Sequence, residues 1–373
     1  MMRLCYGVVE GGQWIELLLM VLFCGQSYFF SSYFWLIFGK NLFFGVMSEL
    51  IPFWRLLGHD YFPLGVLMRR EFGCSVWKVS VDIGCSCPNI DGTVGTGGCL
   101  FCNTSSFAPS RRFREPVVSI VEQIDVGIRQ LKRRYRHAQK FIAYFQPSTN
   151  THLELEDLER FCRLALGHRD VVGLAIGTRP DALPEEVLEM LGFLSRTAWV
   201  QLEIGLQSIH QKSLDFLNRG HDYLVFRESF RRCRRHGFRL GVHLILGIPG
   251  ESREEVLATA QEMAFLQPDS IKLHHLYVVR ETPLEKLWRA GEIRLTTLEE
   301  YAGLVVDFLE ELPPTVVVER IAGEADALFL LAPEWTGNKH AARNAVNQEF
   351  QRRCSFQGRL WLAKKKRQLI VDS

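Results

Sequence analysis

VDIGCSCPNIDGTVGTGGCLFCN, residues 81–103, sets Cys87, Cys99 and Cys102 at a C-x11-C-x2-C spacing inside a glycine-rich loop. Three thiolates on one loop leave a metal centre one ligand short, and thiolates suit zinc or an iron–sulfur cluster. A 4Fe–4S cluster held by three cysteines keeps one iron open to an outside ligand such as S-adenosylmethionine (SAM). Asp91-Gly92, Gly95, Gly97 and Gly98 allow the positive φ angles and close backbone approach that a loop wrapped round a bulky group needs. A structural zinc would want a fourth ligand. Cys85 could supply it, but a single residue separates it from Cys87, poor geometry for two ligands on one tetrahedral ion. We read Cys85 as a small apolar strand-end residue. The other cysteines show no pairing rhythm, which argues against disulfides.

Outward from this loop, short apolar runs alternate with helical patterns, as in βα units around parallel strands. Strands are predicted at Lys78–Ile83, Phe141–Phe145, Val171–Ile176, Val200–Ile204, Leu240–Leu246 and Ile271–Val279. Leu155, Leu158, Cys162, Ala165 and Leu166 line one helix face, and Leu183, Val187, Leu188, Leu191 and Leu194 another. Phe226, Phe230 and Cys233 line a third. Ser252-x-x-Glu255 and Thr297-x-x-Glu300 read as capping boxes. Six such units imply an α/β fold, a partial (β/α)6 barrel open on one side, followed by a small C-terminal α/β module with a helix at 297–311, a strand Val316–Val318 and a helix near Ala341–Arg353. In such architectures chemistry gathers at the C-terminal strand ends. The cysteine loop, Gln146–His152, Gly177–Asp181, Gly205–Ser208 and Gly247–Glu251 all fall there.

With 373 residues, 47% of them apolar, the chain can bury a sizeable core, and a net charge of +2 decides nothing about partners. Three basic runs stand out: Arg129–Lys140, Arg231–Arg239 and Arg359–Arg367. Each is either a solvated face or an RNA contact, the last within a basic, mobile tail at 356–373. Residues 17–39 carry no charge and are long enough to cross a bilayer of about 30 Å. Two readings of residues 1–50 stand. One is a start assigned too early, with Met47 as the true beginning and a cytoplasmic protein. The other is a membrane anchor, with Lys40 and Arg55 keeping the catalytic part in the cytoplasm.

The ordered motifs extend the reading. VDIGCSCPNIDGTVGTGGCLFCN is followed by YFQPSTNTH, GLAIGTRPDALP, VQLEIGLQS, LNRGHD, HLILGIPGE and APEWTGNKH. In this order they resemble the YhcC/YtqA group of radical SAM proteins, relatives of the radical domain of the Elongator catalytic subunit. The likeness runs from about Phe72 to about Arg353. It implies a radical SAM core at 72–290, a C-terminal module at 291–355, and an enzyme in which Cys87, Cys99 and Cys102 hold a 4Fe–4S cluster. SAM would be cleaved reductively to a 5′-deoxyadenosyl radical, with a flavodoxin- or ferredoxin-like protein as electron donor. Kinship with Elongator implies a modified tRNA nucleoside as substrate.

Glu203 and Gln207 are expected to point into the barrel, and Arg219 follows Gln207 by twelve residues. The same interval occurs in oxygen-independent coproporphyrinogen oxidases, which implies that Glu203, Gln207, Arg219 and Gly247 bind SAM; the competing reading is an internal Glu203–Arg219 pair. Phe101 would shield the cluster. Asn150, His152, Arg179, Asp181, His243, Lys272, His274 and His275 are substrate-site candidates, and Asn338, Lys339 and His340 a further patch. Two other classes remain open: a nucleic-acid-binding protein with a structural metal, and a membrane-anchored redox protein. A chain beginning at Met47 is expected to fold and take up its cluster. Peptides from Arg3 or Glu10 in a membrane fraction, found by mass spectrometry, would overturn the early-start reading.

Overall fold

Runs rich in Val, Ile, Leu and Phe, bounded by glycine and proline, form strands that pair side by side in the computed structural model, which describes residues 52–107 and 119–371. The expectations for residues 1–50, including the uncharged segment at 17–39 and Met47, lie outside the described residues. Seven strands make one parallel sheet in the order β1 (Val76–Val81), β2 (Lys140–Phe145), β3 (Val171–Thr178), β4 (Trp199–Gln207), β5 (Arg239–Leu246), β6 (Ser270–His275) and β8 (Val317–Arg320). A small antiparallel pair joins β7 (Val278–Val279) to β9 (Leu330–Ala332).

The two-residue period of the strands separates the faces of the sheet. Val79, Phe141, Leu174, Leu202, Val242 and Ile271 are buried in the main core with the outer helices. The expected helix faces meet them: Leu158, Cys162 and Ala165, then Val187, Leu188 and Leu191, then Phe226, Phe230 and Cys233. The concave face is small or polar instead, with Lys78, Tyr144, Gly177, Gly205, Gly241 and Lys272. Gly241 shows why: a Cβ there would lie 2.8 Å from Gln201 Nε2 and 2.9 Å from Ser270 Oγ. Both predicted capping boxes form, at Ser252–Glu255 and Thr297–Glu300.

The six predicted strands are present, and a seventh joins them. The C-terminal strand, expected in a separate module, extends the sheet, because the outer edge of β6 has unpaired backbone groups that β8 satisfies in the register Ser270↔Val317 and Ile271↔Val318. The last predicted strand is in turn interrupted after His275, and β7 turns away to pair with β9. Below the sheet, the helix Leu64–Phe72 and the buried Trp54, Phe62, Val66, Val317 and Phe356 close the N-terminal end of the barrel.

The basic segment at 356–373, expected as a mobile tail, contains the helix Arg359–Val371. Two of its charges have carboxylate partners: Arg359 bonds Glu310 at 2.9 Å and Lys364 bonds Glu311 at 2.6 Å. Gln357, fully buried, accepts from the Phe62 N–H at 2.9 Å and donates to the carbonyls of Pro313 and Val316 at 2.8 Å each. Among the described residues no helix is long and apolar enough to cross a membrane. Gln357→Leu strands one buried donor and two acceptors, so it is expected to destabilise the fold by about 3 kcal/mol. Urea melts of the variant and parent check this, and a loss below about 1 kcal/mol would contradict the role given to this side chain.

Candidate functional site

The cysteine loop leaves β1 and folds back on its own backbone. The amides of Ile90 and Asp91 donate to the Cys87 carbonyl at 2.8 and 3.1 Å, and the Gly98 amide to the Asn89 carbonyl at 2.8 Å. Gly97 and Gly98 take φ of 82° and 75°, conformations that L side chains rarely adopt, which accounts for glycine at both. The buried Asn89 donates to the Asn218 carbonyl at 2.6 Å, and Asn218 donates back to the Gly98 carbonyl at 2.7 Å. The LNRG segment is thereby fixed to the loop. From it Arg219 donates to Cys99 Sγ at 3.1 Å and to the Gly205 carbonyl at 2.8 Å. His152 joins Asp91 at 2.9 Å from the loop after β2.

Cys87, Cys99 and Cys102 line one cavity of about 290 Å³ at the C-terminal ends of the strands. Among the described residues no three His, Cys, Asp or Glu side chains converge on a point that could hold a single ion. The thiols instead share the wall of a chamber wide enough for a larger group. Two guanidiniums back this wall. Arg179 grips Asp181 through two hydrogen bonds of 2.9 and 2.7 Å, while its Nη1 and the Nε of Arg219 are buried without a partner among the described residues. Burial opposes the charge on Arg179, yet its bonds to Asp181 raise its pKa above the ordinary value. Soft thiol donors beside unsatisfied cationic groups suit an anionic thiolate-bound cluster with a polar ligand next to it.

The chamber floor is ionic. Glu203, fully enclosed, meets Lys78 at 2.5 Å and His243 at 2.8 Å, and is paired with Lys272 as well. Glu319 meets Lys78 at 2.6 Å and Ser270 at 2.6 Å, and also accepts from Gln201. Burial works against ionisation of Glu203, but Lys272, then Lys78 and His243, hold its carboxyl well below the usual range. Burial raises the Tyr144 hydroxyl, reinforced by Glu203, and lowers His243, where the bond to Glu203 works the other way. His275 is pushed down to about 3 by burial and bonds Thr336 at 2.7 Å.

Of the residues expected from sequence, the three cysteines, Phe101, Arg179, Glu203, Gln207, Arg219, His243, Lys272, His274 and His275 all line the chamber. Others do not. Gly247 is not among the lining residues: its φ of 77° serves the turn after β5, and a Cβ there would meet Thr296 at 2.5 Å, outside the chamber wall. Asn150 clamps β2 to β3 by donating to Phe145 and Gly177 carbonyls at 3.0 and 2.9 Å. Asp181 and His152 act one layer back, and Asn338, Lys339 and His340 are not among the lining residues, with Lys339 3.9 Å from the lining Glu324 and Asn338 capping the His340 amide at 3.0 Å. The competing reading, an internal Glu203–Arg219 pair, does not form: Glu203 pairs with lysines and Arg219 turns to Cys99. Cys85 is buried in the core with its Sγ 3.2 Å from Asn150. Lys78, Tyr144, Tyr277, Glu319 and Arg320 were not singled out by sequence, although the inward period of β1 and β2 marks Lys78 and Tyr144.

Residues 90–263 match the Radical SAM superfamily and residues 268–352 the Radical_SAM C-terminal domain. The chain is 36% identical to YtqA of Bacillus subtilis over 304 residues, 81% of this chain and 92% of that protein. It is 37% identical to YhcC of Escherichia coli over 273 residues, 73% and 86% of the two chains. A tRNA uridine(34) acetyltransferase of Dehalococcoides mccartyi is 30% identical over 187 residues, 49% of this chain and 39% of that one. Among solved structures, Methanocaldococcus infernus Elp3 with an N-terminal deletion gives a TM-score of 0.57 at 19% identity, covering 75% of this chain and 63% of that one, a likeness of fold.

Removing the central carboxylate tests the floor. Glu203→Gln leaves two buried lysines short of a counter-charge and is expected to destabilise the protein by about 3–5 kcal/mol. In the parent, Glu203 has a folded-state pKa below its ordinary value of 4.5. Its charge therefore stabilises the fold fully above about pH 4.5, and this contribution falls away as acidification reaches the folded-state pKa. The variant should show a shallower loss of stability with acid, and denaturation series across that range that superimpose would refute the assignment.

Proposed function

The chain belongs to the radical SAM superfamily and is an enzyme of that kind, and from this premise we propose that its chamber holds a 4Fe–4S cluster and SAM and acts on a modified tRNA nucleoside. One observation carries the cofactor reading: three cysteine side chains on one loop line the same chamber as Gln207, Arg179 and Arg219. When bound, the cluster supplies the electron that cleaves SAM to methionine and a 5′-deoxyadenosyl radical. The chain's own residues do the rest. Cys87, Cys99 and Cys102 provide the thiolates, and Arg219, 3.1 Å from Cys99 Sγ, lowers the energy of the negative charge there.

Gln207 and the unpartnered Nε of Arg219 and Nη1 of Arg179 offer donors to a carboxylate or ribose on SAM. Glu203 belongs to the ionic floor rather than to this set, since three side chains already engage it. The closed N-terminal end and the packed floor exclude water from a reactive intermediate. A flavodoxin- or ferredoxin-like donor is the expected reductant. The tRNA reading draws on the similarity to a tRNA uridine(34) acetyltransferase. It draws also on the basic run at 129–136: Arg129, Arg133 and Arg136 make no ion pair among the described residues, whereas in the second run Arg231, Arg234 and Arg239 pair with Glu228, Asp269 and Glu71.

Anaerobic reconstitution with iron and sulfide quantified, followed by reduction in the presence of SAM, tests the proposal. Single Cys87→Ala, Cys99→Ala and Cys102→Ala variants are expected to lose the cluster, because a three-thiolate site has no spare ligand, while Cys85→Ala retains it. Gln207→Ala should keep iron yet bind SAM roughly ten- to a hundredfold more weakly, the equivalent of about 1.5–3 kcal/mol for a charge-assisted hydrogen bond. Arg219→Ala should lower both cluster retention and SAM affinity, since that side chain touches a ligand cysteine. Tightly bound zinc in place of iron, or no 5′-deoxyadenosine on reduction, would sink the reading.

A further inference from the structure

The chamber has a second polar wall, away from the cysteines, built by β5, β6 and β8. His243, Lys272 and Arg320 stand in one row across these strands, His243 opposite Lys272 and Lys272 opposite Arg320. His274 follows Lys272 by two positions and so faces the same way, and all four line the cavity. Arg320 is there because of an irregularity. The ladder slips between Ile271 and Lys272, so that Glu319 and Arg320 together oppose a single step of β6. A bulge of this kind turns two consecutive side chains to one face, here a carboxylate for the floor and a guanidinium for the wall.

Charge on this wall is unbalanced. Lys78 and Lys272 are matched by Glu203 and Glu319, whereas Arg320 makes no ion pair among the described residues. Glu324, the remaining carboxylate of the lining, faces Lys339 at 3.9 Å. The Nε2 of His274 is buried with no hydrogen-bond partner among the described residues, although more than nine in ten buried polar groups find one. Burial, then Arg320, His243 and Lys272, lowers His274 well below its ordinary range, and of these neighbours Arg320 and Lys272 carry fixed positive charge. Arg320 itself is exposed at the rim, where a ligand can reach it.

Resting on the reading of this chamber as the catalytic site, we infer that the wall of β5, β6 and β8 binds an anionic group, a carboxylate or a phosphate ester, of the molecule on which the enzyme acts. Arg320 provides the counter-charge and His274 Nε2 the hydrogen bond, with Lys272 alongside. A neutral polar ligand could pair the histidine nitrogen but would leave Arg320 without a counter-charge; an anion supplies both. SAM is served by the opposite side, where Gln207, Arg179 and Arg219 gather round the cysteine loop, so the anion is the substrate's.

The full chain, reconstituted anaerobically, is titrated by calorimetry with inorganic phosphate and separately with malonate, at fixed ionic strength. Saturable binding of at least one probe is expected. Arg320→Gln should weaken it by roughly tenfold or more, His274→Phe should weaken it as well, and Arg320→Lys should recover part of the loss. Iron content equal to the parent's shows that each variant is folded. Binding of malonate alone identifies a carboxylate, and of phosphate alone a phosphate ester. No saturable binding to the parent, or equal binding by the parent and Arg320→Gln, overturns the inference. If the same preparation holds iron and yields 5′-deoxyadenosine, that failure leaves the proposed function standing. Anion binding without any iron-dependent cleavage of SAM has the reverse meaning, supporting the wall and removing the radical chemistry.

Discussion

One ion pair spans the whole width of the sheet. Lys78 lies on β1 and Glu319 on β8, the two outermost strands, and their side chains meet at 2.6 Å inside the curl. A flat sheet of seven strands would separate its edges by roughly 28 Å at 4.7–4.9 Å per strand. This contact therefore exists only if the sheet closes most of the way round. Glu203 on β4 and Lys272 on β6 complete the same network, tying the middle of the sheet to both edges. Removing charges from water is expensive, and a buried quartet of this kind adds less to net stability than well-packed apolar groups would. Its contribution is to selectivity, because any other curvature or register strands a lysine or a glutamate in the interior.

The cysteine loop depends on this closure indirectly. It has few apolar side chains of its own, and it is held by polar bonds to Asn218, Arg219 and His152, which come from loops after other strands. Those loops converge only when the strands below them curl. The geometry at Cys99 is thus set by the sheet, transmitted through β4 and the LNRG turn, where Arg219 bridges the Gly205 carbonyl and the cysteine sulfur.

Much of this was legible in the sequence because its signals are local. Runs of β-branched residues marked the strands, Ser252 and Thr297 marked helix starts, and the cysteine spacing marked the loop. What escaped was tertiary. Val317 and Val318 read as a strand, but nothing in four residues says which edge they will extend. Lys78 and Glu203 are 125 positions apart, so their pairing has no local trace. The basic helix after Arg359 read as a mobile tail because its anchors, Glu310 and Glu311, belong to a distant helix. Gly247, which the resemblance placed among SAM-binding residues, is not among the lining residues, and its positive φ serves the turn after β5.

The interior thus divides by strand position. On β1 to β4 the inward residues lead upward to thiols and to arginines with unused donors; on β5, β6 and β8 they lead to a row of basic groups beside an unpaired histidine nitrogen. Glu203 stands between the two halves and is bonded to both, to Lys78 from one side and to Lys272 and His243 from the other. Such a divider keeps cations of the two halves from repelling each other at short range, where the interior screens charge poorly. It also fixes the lateral distance between whatever sits against the cysteine loop and whatever sits against Arg320. Were SAM and an anionic substrate to sit on the two sides as proposed, a rigid ionic floor on four strands would hold their reacting atoms in register where mobile loops would not.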